Sequence, residues 1–546
     1  MFYTKKPFTY MLDWIKNLLE NKQKLEVTEW KTNTSILQFL SDNINANGTL
    51  NETADSLPDE KKSEESGIRF APGLMDSMFG ADESDESREK IKELSKLIKT
   101  IAKKGDEGSK SEFYKILTES DGVIGIIDEF LEEIVNQSLP IDPYLFSFAK
   151  DLATKTSHRN SVKIGIAILG LCQKKSVINE IKILGLHDEF TVFSMVALSN
   201  LSDNIVEDLW ELATKVDGWG KIQLVDRIAH MELSEELKDW LLLEGYKNSI
   251  MIEYLAYTCA VNGELHIKLQ REKIDVKLFK ATGEIIQALL SDGPAEDISD
   301  YEFAPETVEN FIRHGKTHVK DITDFITLNA IKDFLIELQE DLGEHKKNGW
   351  NQNIISNCLI DINENLKNKD WKEQAEIALK SDDSVLYWNG KQAAEKLGIE
   401  LWDVVWNKLQ KNSLDSLAWY DVTTYAKEEN VDEIIDFAKN NLPLEELGSG
   451  PRDWMGLGED YQKHSSFGFV ITFLENYPAK GAALILVGLD SPVTSNRNAT
   501  LSVLATWKLE NWSNEITQKV NRLKEIEPNE DTKKNIERLL EGLELE

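Results

Sequence analysis

Within the 546-residue chain, the pair best spaced to hold a metal is His314 and His318, four apart in Arg313-His314-Gly315-Lys316-Thr317-His318. On a helix the two imidazoles could turn one face toward an ion, with Glu309 or Asp321 supplying oxygen. The glutamate of an HExxH motif is missing, and Gly315 and Lys316 between the rings oppose an ordered cation site, so no metal is assigned. The glycine-rich stretch from Gly448 to Gly458 invites a phosphate-cradling loop. Its GxG at Gly456 lacks the third glycine and a preceding apolar strand, and Glu459 and Asp460 stand where a pyrophosphate would sit. The longer loop around it, 442–465, carries Arg452, Trp454, Met455, Tyr461 and His464, which suits either a contact loop or an ordinary break between helices. No GxxxxGK[ST], no GxSxG, no haem-cysteine loop and no cysteine with a neighbouring histidine and asparagine is present. Trp402 with Trp406 and Trp419 with Tyr420 would form either an aromatic cage or part of a core. With 96 acidic residues, carboxylate pairs carry no meaning before geometry is known. No catalytic residue, cofactor or metal ligand is read from these patterns.

The composition narrows the classes further. Basic residues number 62 against 96 acids, a charge of −34, which repels nucleic acid and anionic lipid and leaves a basic or partly apolar protein as the natural partner. The longest apolar run is the eight residues from Ala482 to Leu489, well short of the roughly 18 that span a bilayer. Cys172, Cys259 and Cys358 lie far apart with no CxxC spacing, which fits the reducing cytoplasm. The N-terminus lacks the pattern of a secretion signal, Asp13 and Lys16 interrupting its apolar face.

The elements that position such residues are helical. Only 12 prolines occur and strict alternation is scarce, which predicts an all-α chain. Residues 1–40 begin with an amphipathic helix, Pro7–Gln23, whose Phe8, Met11, Leu12, Ile15, Leu18 and Leu19 share one face. The five lysines of residues 1–25 allow docking on the array or on a membrane surface. Residues 41–89 have the composition of an acidic linker and hold an apolar island, 68–80, that must dock, either in the protein's own groove or on a partner. Residues 90–290 and 301–546 read as two helical halves, the second with a long loop at 442–465. Between Leu139 and Gly263 the chain repeats every 30 residues. Heads at Arg159, Asp188, Trp219 and Ser249 precede matching columns: Val162, Val192, Ile222, Ile252; Gly165, Met195, Val225, Leu255; Ile168, Leu198, Ile228, Thr258; Leu171, Leu201, Met231, Val261. Columns three apart at a fixed period describe units that bury their faces against one another. Two helices fit into each period, which predicts an α-solenoid of two-helix repeats.

The unit length, and the Arg-Asn heading a second helix at Arg159-Asn160 and Arg497-Asn498, resemble the HEAT-like and armadillo-type class of helical repeats. In that class the second helices line a concave surface that binds protein partners, which makes Arg159, Asp188 and Trp219, with Arg452, Trp454 and Tyr461, candidate contact residues. A second resemblance rests on Thr4-Lys5-Lys6-Pro7-Phe8, Arg69-Phe70-Ala71-Pro72-Gly73-Leu74-Met75 and Gly185-Leu186-His187-Asp188-Glu189-Phe190-Thr191. These stretches are similar to Gram-positive bacterial proteins called limonene hydroxylase, which implies NAD-linked oxidation of a monoterpene and its alcohol. No motif for haem, flavin or non-haem iron accompanies it, and no residue carries over as catalytic. The primary expectation is a cytoplasmic scaffold or adaptor. A monoterpene oxidoreductase and a membrane-surface adaptor stand as alternatives.

Overall fold

The structure, a computed structural model, describes residues 34–60, 85–120, 122–291, 293, 295–367, 369–456 and 458–545. The amphipathic segment Pro7–Gln23 and the island 68–80 lie outside them. Among the described residues the only β pairing is two isolated bridges, Ile44 with Leu50 and Trp454 with Val493, and everything regular is helical. No helix among them is long and apolar enough to cross a membrane.

The chain forms two compact units, the first from residues up to 320 together with 327–367, the second from 321–326 and 369 onward. In chain order the first unit holds α1 (Ile36–Asp42), α2 (Asp85–Lys104), α3 (Glu107–Thr118), α4 (Ile124–Asn136), α5 (Phe146–Lys155), α6 (Arg159–Leu171), α7 (Ile178–Leu184), α8 (Asp188–Leu201), α9 (Ile205–Ala213) and α10 (Gly218–Ala229). It continues through α11 (Glu235–Trp240), α12 (Glu253–Asn262), α13 (Leu265–Leu269), α14 (Val276–Leu290), α15 (Ala304–His318), α16 (Ile322–Glu340) and α17 (Gln352–Leu366), the first turn of α16 being grouped with the second unit. The second unit holds α18 (Trp371–Ala378), α19 (Ser384–Leu397), α20 (Trp402–Lys411), α21 (Ser416–Tyr425), α22 (Val431–Asn441), α23 (Leu444–Leu447), α24 (Gln462–Phe473), α25 (Ala482–Leu489), α26 (Thr494–Trp507), α27 (Asn514–Ile526) and α28 (Glu530–Leu540).

Packing runs from neighbour to neighbour. In the first unit α5 lies on α6, α7 on α8 and α9 on α10, while the second members form their own row, α6 on α8, α8 on α10, α10 on α12 and α12 on α14. In the second unit α18 lies on α19, α20 on α21 and α25 on α26, with a row from α21 through α24 and α26 to α28. The columns read from sequence form this row's buried stripe. Ile168, Leu198 and Ile228 are fully buried, as are Val225 and Leu255, while the outer columns at Val192, Ile222, Met231 and Val261 are half-buried. Gly165 interrupts its apolar column because α5 and α6 approach closely there. A Cβ at Gly165 would lie 2.5 Å from the backbone nitrogen of Ala153.

The 30-residue period also appears in polar side chains that join one repeat to the next. Lys150 pairs with Glu180 at 3.0 Å, Arg159 with Glu189 at 3.0 Å, and Asn248 donates to the Gly218 carbonyl at 2.8 Å. In the second unit Lys391 reaches Asp421, Tyr425 reaches Glu395, and Arg497 reaches Glu527 at 2.8 Å, each across the same interval. One period advances the chain one repeat, so side chains one period apart come to lie side by side.

Two stretches depart from expectation. Residues 41–60, polar enough to read as linker, fold against the first unit, Gly48 lying beside Lys215 and Asp59 bonding the head of α6. Ala54 and Leu57 are buried and act as anchors, Asn51 caps a short 3₁₀ turn, and α2 begins at Asp85, inside the same expected linker. The fourth second helix, expected to head near Ser249, starts at Glu253, because Asn248 and Ser249 are held in a turn by Gly218 and by the Asp217 carboxylate.

Candidate functional site

Arg159, Asp188 and Trp219 head three consecutive second helices of the first unit, and the structure places them in one polar seam. Arg159 is already engaged. Its backbone N–H donates to Asp59 at 2.8 Å, its guanidinium bonds Asp59 and Glu189, and Lys163 reaches Glu189 at 2.6 Å. Burial works against these charges and the opposite charges more than offset it, so the guanidinium pKa is raised and Glu189 is held down to about 2. The neighbouring Asn160 donates backward to the Ser120 carbonyl at 2.8 Å, so the Arg-Asn pair ties one repeat to both neighbours.

Asp188 sits over the start of α10, against Gly218 and Gly220, where an added Cβ would collide with its carboxylate. Burial pushes its carboxyl up to about 7, the Gly220 N–H opposing and Asp217 adding to the rise. His187 beside it is pushed down to about 4 by burial and caps α8 through its Nδ1. Trp219 is half-buried, edge-on to Tyr254 with ring centroids 5.2 Å apart. The seam therefore joins repeats to one another and to the segment carrying Asp59.

His314 and His318 do share a helix face on α15, and both imidazoles are spoken for. Nε2 of His314 donates to the Leu269 carbonyl at 2.9 Å and that of His318 to Ile274 at 3.1 Å. Among the described residues no group of three or more His, Cys, Asp or Glu is placed to hold a metal ion. Cys259 is fully buried, with its thiol pushed up by burial, as befits a core position. Of the limonene hydroxylase-like stretches, Thr4–Phe8 and Arg69–Met75 lie outside the described residues. Gly185–Thr191 forms a turn and the head of α8, closed by Thr191 donating to the Gly185 carbonyl at 2.9 Å.

In the second unit, the stretch 442–465 contains short helical turns at Leu444–Leu447 and Glu459–Tyr461 and the beginning of α24, which leaves residues 448–456 and 458 irregular. Arg452, Trp454 and Tyr461 come together on it. The guanidinium carbon lies 4.7 Å from the Trp454 ring, and Tyr461 stands edge-on to that ring at 6.0 Å. The loop is pinned to the head of α26: Trp454 bridges to Val493, and the Arg452 carbonyl accepts from Arg497 at 2.7 Å. Arg497 and Glu527 are themselves completely buried. Trp402 stacks on Trp406, and Trp419 is core, its indole N–H donating to the Ser413 carbonyl.

An exposed apolar surface, of which only Tyr420 was named from sequence, stands among the described residues. It lies on consecutive second helices of the second unit. Tyr387 of α19 donates to Asp421 of α21 at 3.0 Å, Lys391 meets the same acid and Glu395 meets Tyr425, so the helices run parallel and in register. Each helical step turns by about 100°. One step after Tyr387 and one step before Asp421 therefore bring Trp388 and Tyr420 to the same outer face. Trp388 is 50% exposed, Tyr420 43% and Leu417, one turn earlier, 67%. Tyr420 continues the row to Phe469 of the next second helix, at 5.4 Å. Leu417 and Tyr420 at i, i+3 were legible as spacing, but a stripe of this kind reads as core until its partner helix is known.

No family model matches the chain, and no curated protein matches it, so the geometry alone supports a functional reading.

Proposed function

We propose that the chain is a protein-binding scaffold, an α-solenoid of two-helix HEAT-like or armadillo-type repeats that holds a basic, partly apolar segment of another protein on its row of second helices. The observation that carries this reading is the exposed pair Trp388 and Tyr420, flanked by exposed Leu417 and continued by half-buried Phe469. Monomeric proteins rarely leave contiguous apolar surface uncovered, and aromatic side chains anchor interfaces disproportionately. Exposed acids adjoin it, with Asp382 and Asp383 ahead of α19 and Glu395 on the same face as Trp388, which favours a partner whose apolar anchors are flanked by lysine or arginine. The period-spaced side-chain rungs support the repeat reading, since each repeat contacts its neighbours in the same way.

The test replaces Trp388 by a photo-crosslinking phenylalanine in the native host and identifies the adduct. The expected product is a crosslink to a segment rich in lysine or arginine. In the purified pair, the Trp388→Ala/Tyr420→Ala variant should weaken binding at least about tenfold without loss of fold, since both residues are exposed. Binding that is unchanged in that variant, or an adduct on an acidic segment, would sink the proposal.

A further inference from the structure

The geometry points to an oxyanion site in the first unit, in an open groove of about 330 Å³ between α2 and the end of α4. Its lining is Ile91, Lys92, Ser95, Lys96 and Lys99 from one wall, and Glu133 and Gln137 from the other. Two independent observations indicate a ligand. Lys92, Lys96 and Lys99 recur at i, i+4 and i+7, and among the described residues no carboxylate lies within ion-pair distance of any of them. Ser95, only 6% exposed, has a buried hydroxyl with no hydrogen-bond partner. A buried hydroxyl without a partner costs stability, and a bound acceptor would remove that cost.

The ligand class follows from the dimensions. Seven residues of helix carry the lysines about 10 Å along the groove, the reach of a chain of two or three phosphates. No aromatic side chain lines it, so nothing stacks a base, and the class is an oligophosphate rather than a nucleotide. Helix α2 carries seven basic against four acidic residues, and the repulsion of the −34 total is screened beyond about 8 Å at physiological salt. Glu133 opposes an anion and accepts from Gln137 Nε2 at 2.8 Å, which places the ligand against the lysine wall.

Titration calorimetry of the full chain with tripolyphosphate, at low and at physiological ionic strength, tests the site. Saturable 1:1 binding is expected, steeply weakened by salt. The triple variant Lys92→Gln/Lys96→Gln/Lys99→Gln should lose at least about tenfold, while the charge-matched control Lys439→Gln/Lys480→Gln/Lys508→Gln changes less than about twofold. Glu133→Gln should bind more tightly. Ser95→Ala should bind several-fold more weakly while melting no earlier than wild type, a combination that a purely structural serine would not give. Absence of saturable binding at low salt, equal losses in the two triples, or equal affinity for sulfate at matched ionic strength would overturn the assignment.

Discussion

Asp188 and His187 are adjacent residues whose buried protonation equilibria pull in opposite directions. The Asp188 carboxyl, raised from 3.8 to about 7, holds its proton more readily folded than unfolded, so its contribution to stability falls as pH rises between those values. His187, lowered from 6.5 to about 4, stays neutral when folded, so its contribution is lost as pH falls through that window. In the native chain the two slopes oppose each other. Asp188→Asn removes one of them, and its melting temperature relative to wild type should climb as pH rises from about 5 to about 8. A difference that stays constant across that range would show that burial does not set this carboxyl. Glu189, held down from 4.5 to about 2, adds a separate loss below about pH 4.5, of order 3 kcal/mol at most.

At the scale of elements, Arg497 connects more of its surroundings than any other buried charge described above. It joins α26, the loop at Arg452, the Ser491 carbonyl and Glu527 at the turn into α28. Arg497→Ala leaves Glu527 buried and unpaired and should cost about 3–5 kcal/mol in urea unfolding, while Arg497→Met/Glu527→Leu should recover most of that. A single variant that unfolds like wild type would mean water or a rearranged partner takes over. Helix pairing and the period were legible in sequence, because burial repeats every turn and every repeat. Gly165 shows where legibility ends: as a missing apolar residue it is unexplained until Ala149 and Ala153 of α5 are known to press against it. Arg159 was legible as important, but its partner Asp59 lies 100 residues away in a stretch of linker composition, and no local pattern connects the two. The aromatic row was hidden for the same reason, since its face depends on the register between α19 and α21. The Asn of the second Arg-Asn pair also misleads. Asn496, preceding Arg497, makes the backward bond to the His464 carbonyl, and the Asn498 side-chain oxygen has no partner.

For the whole molecule, a charge of −34 means that long-range repulsion opposes folding while the ion pairs in the seam and at Arg497 are sheltered from solvent. Salt screens the first far more than the second. The melting temperature at neutral pH should therefore rise as sodium chloride goes from about 10 mM to about 150 mM, and a fall would indicate that exposed pairs dominate instead. The rungs have one further consequence. Arg159 to Glu189, Lys391 to Asp421 and Arg497 to Glu527 each reach only the next repeat. A one-residue insertion in a turn unhooks the rungs that straddle it and leaves those on either side in register. Errors of length are thereby quarantined within a single period, so such a chain can lose or drift in one segment of its sequence without forfeiting the rest.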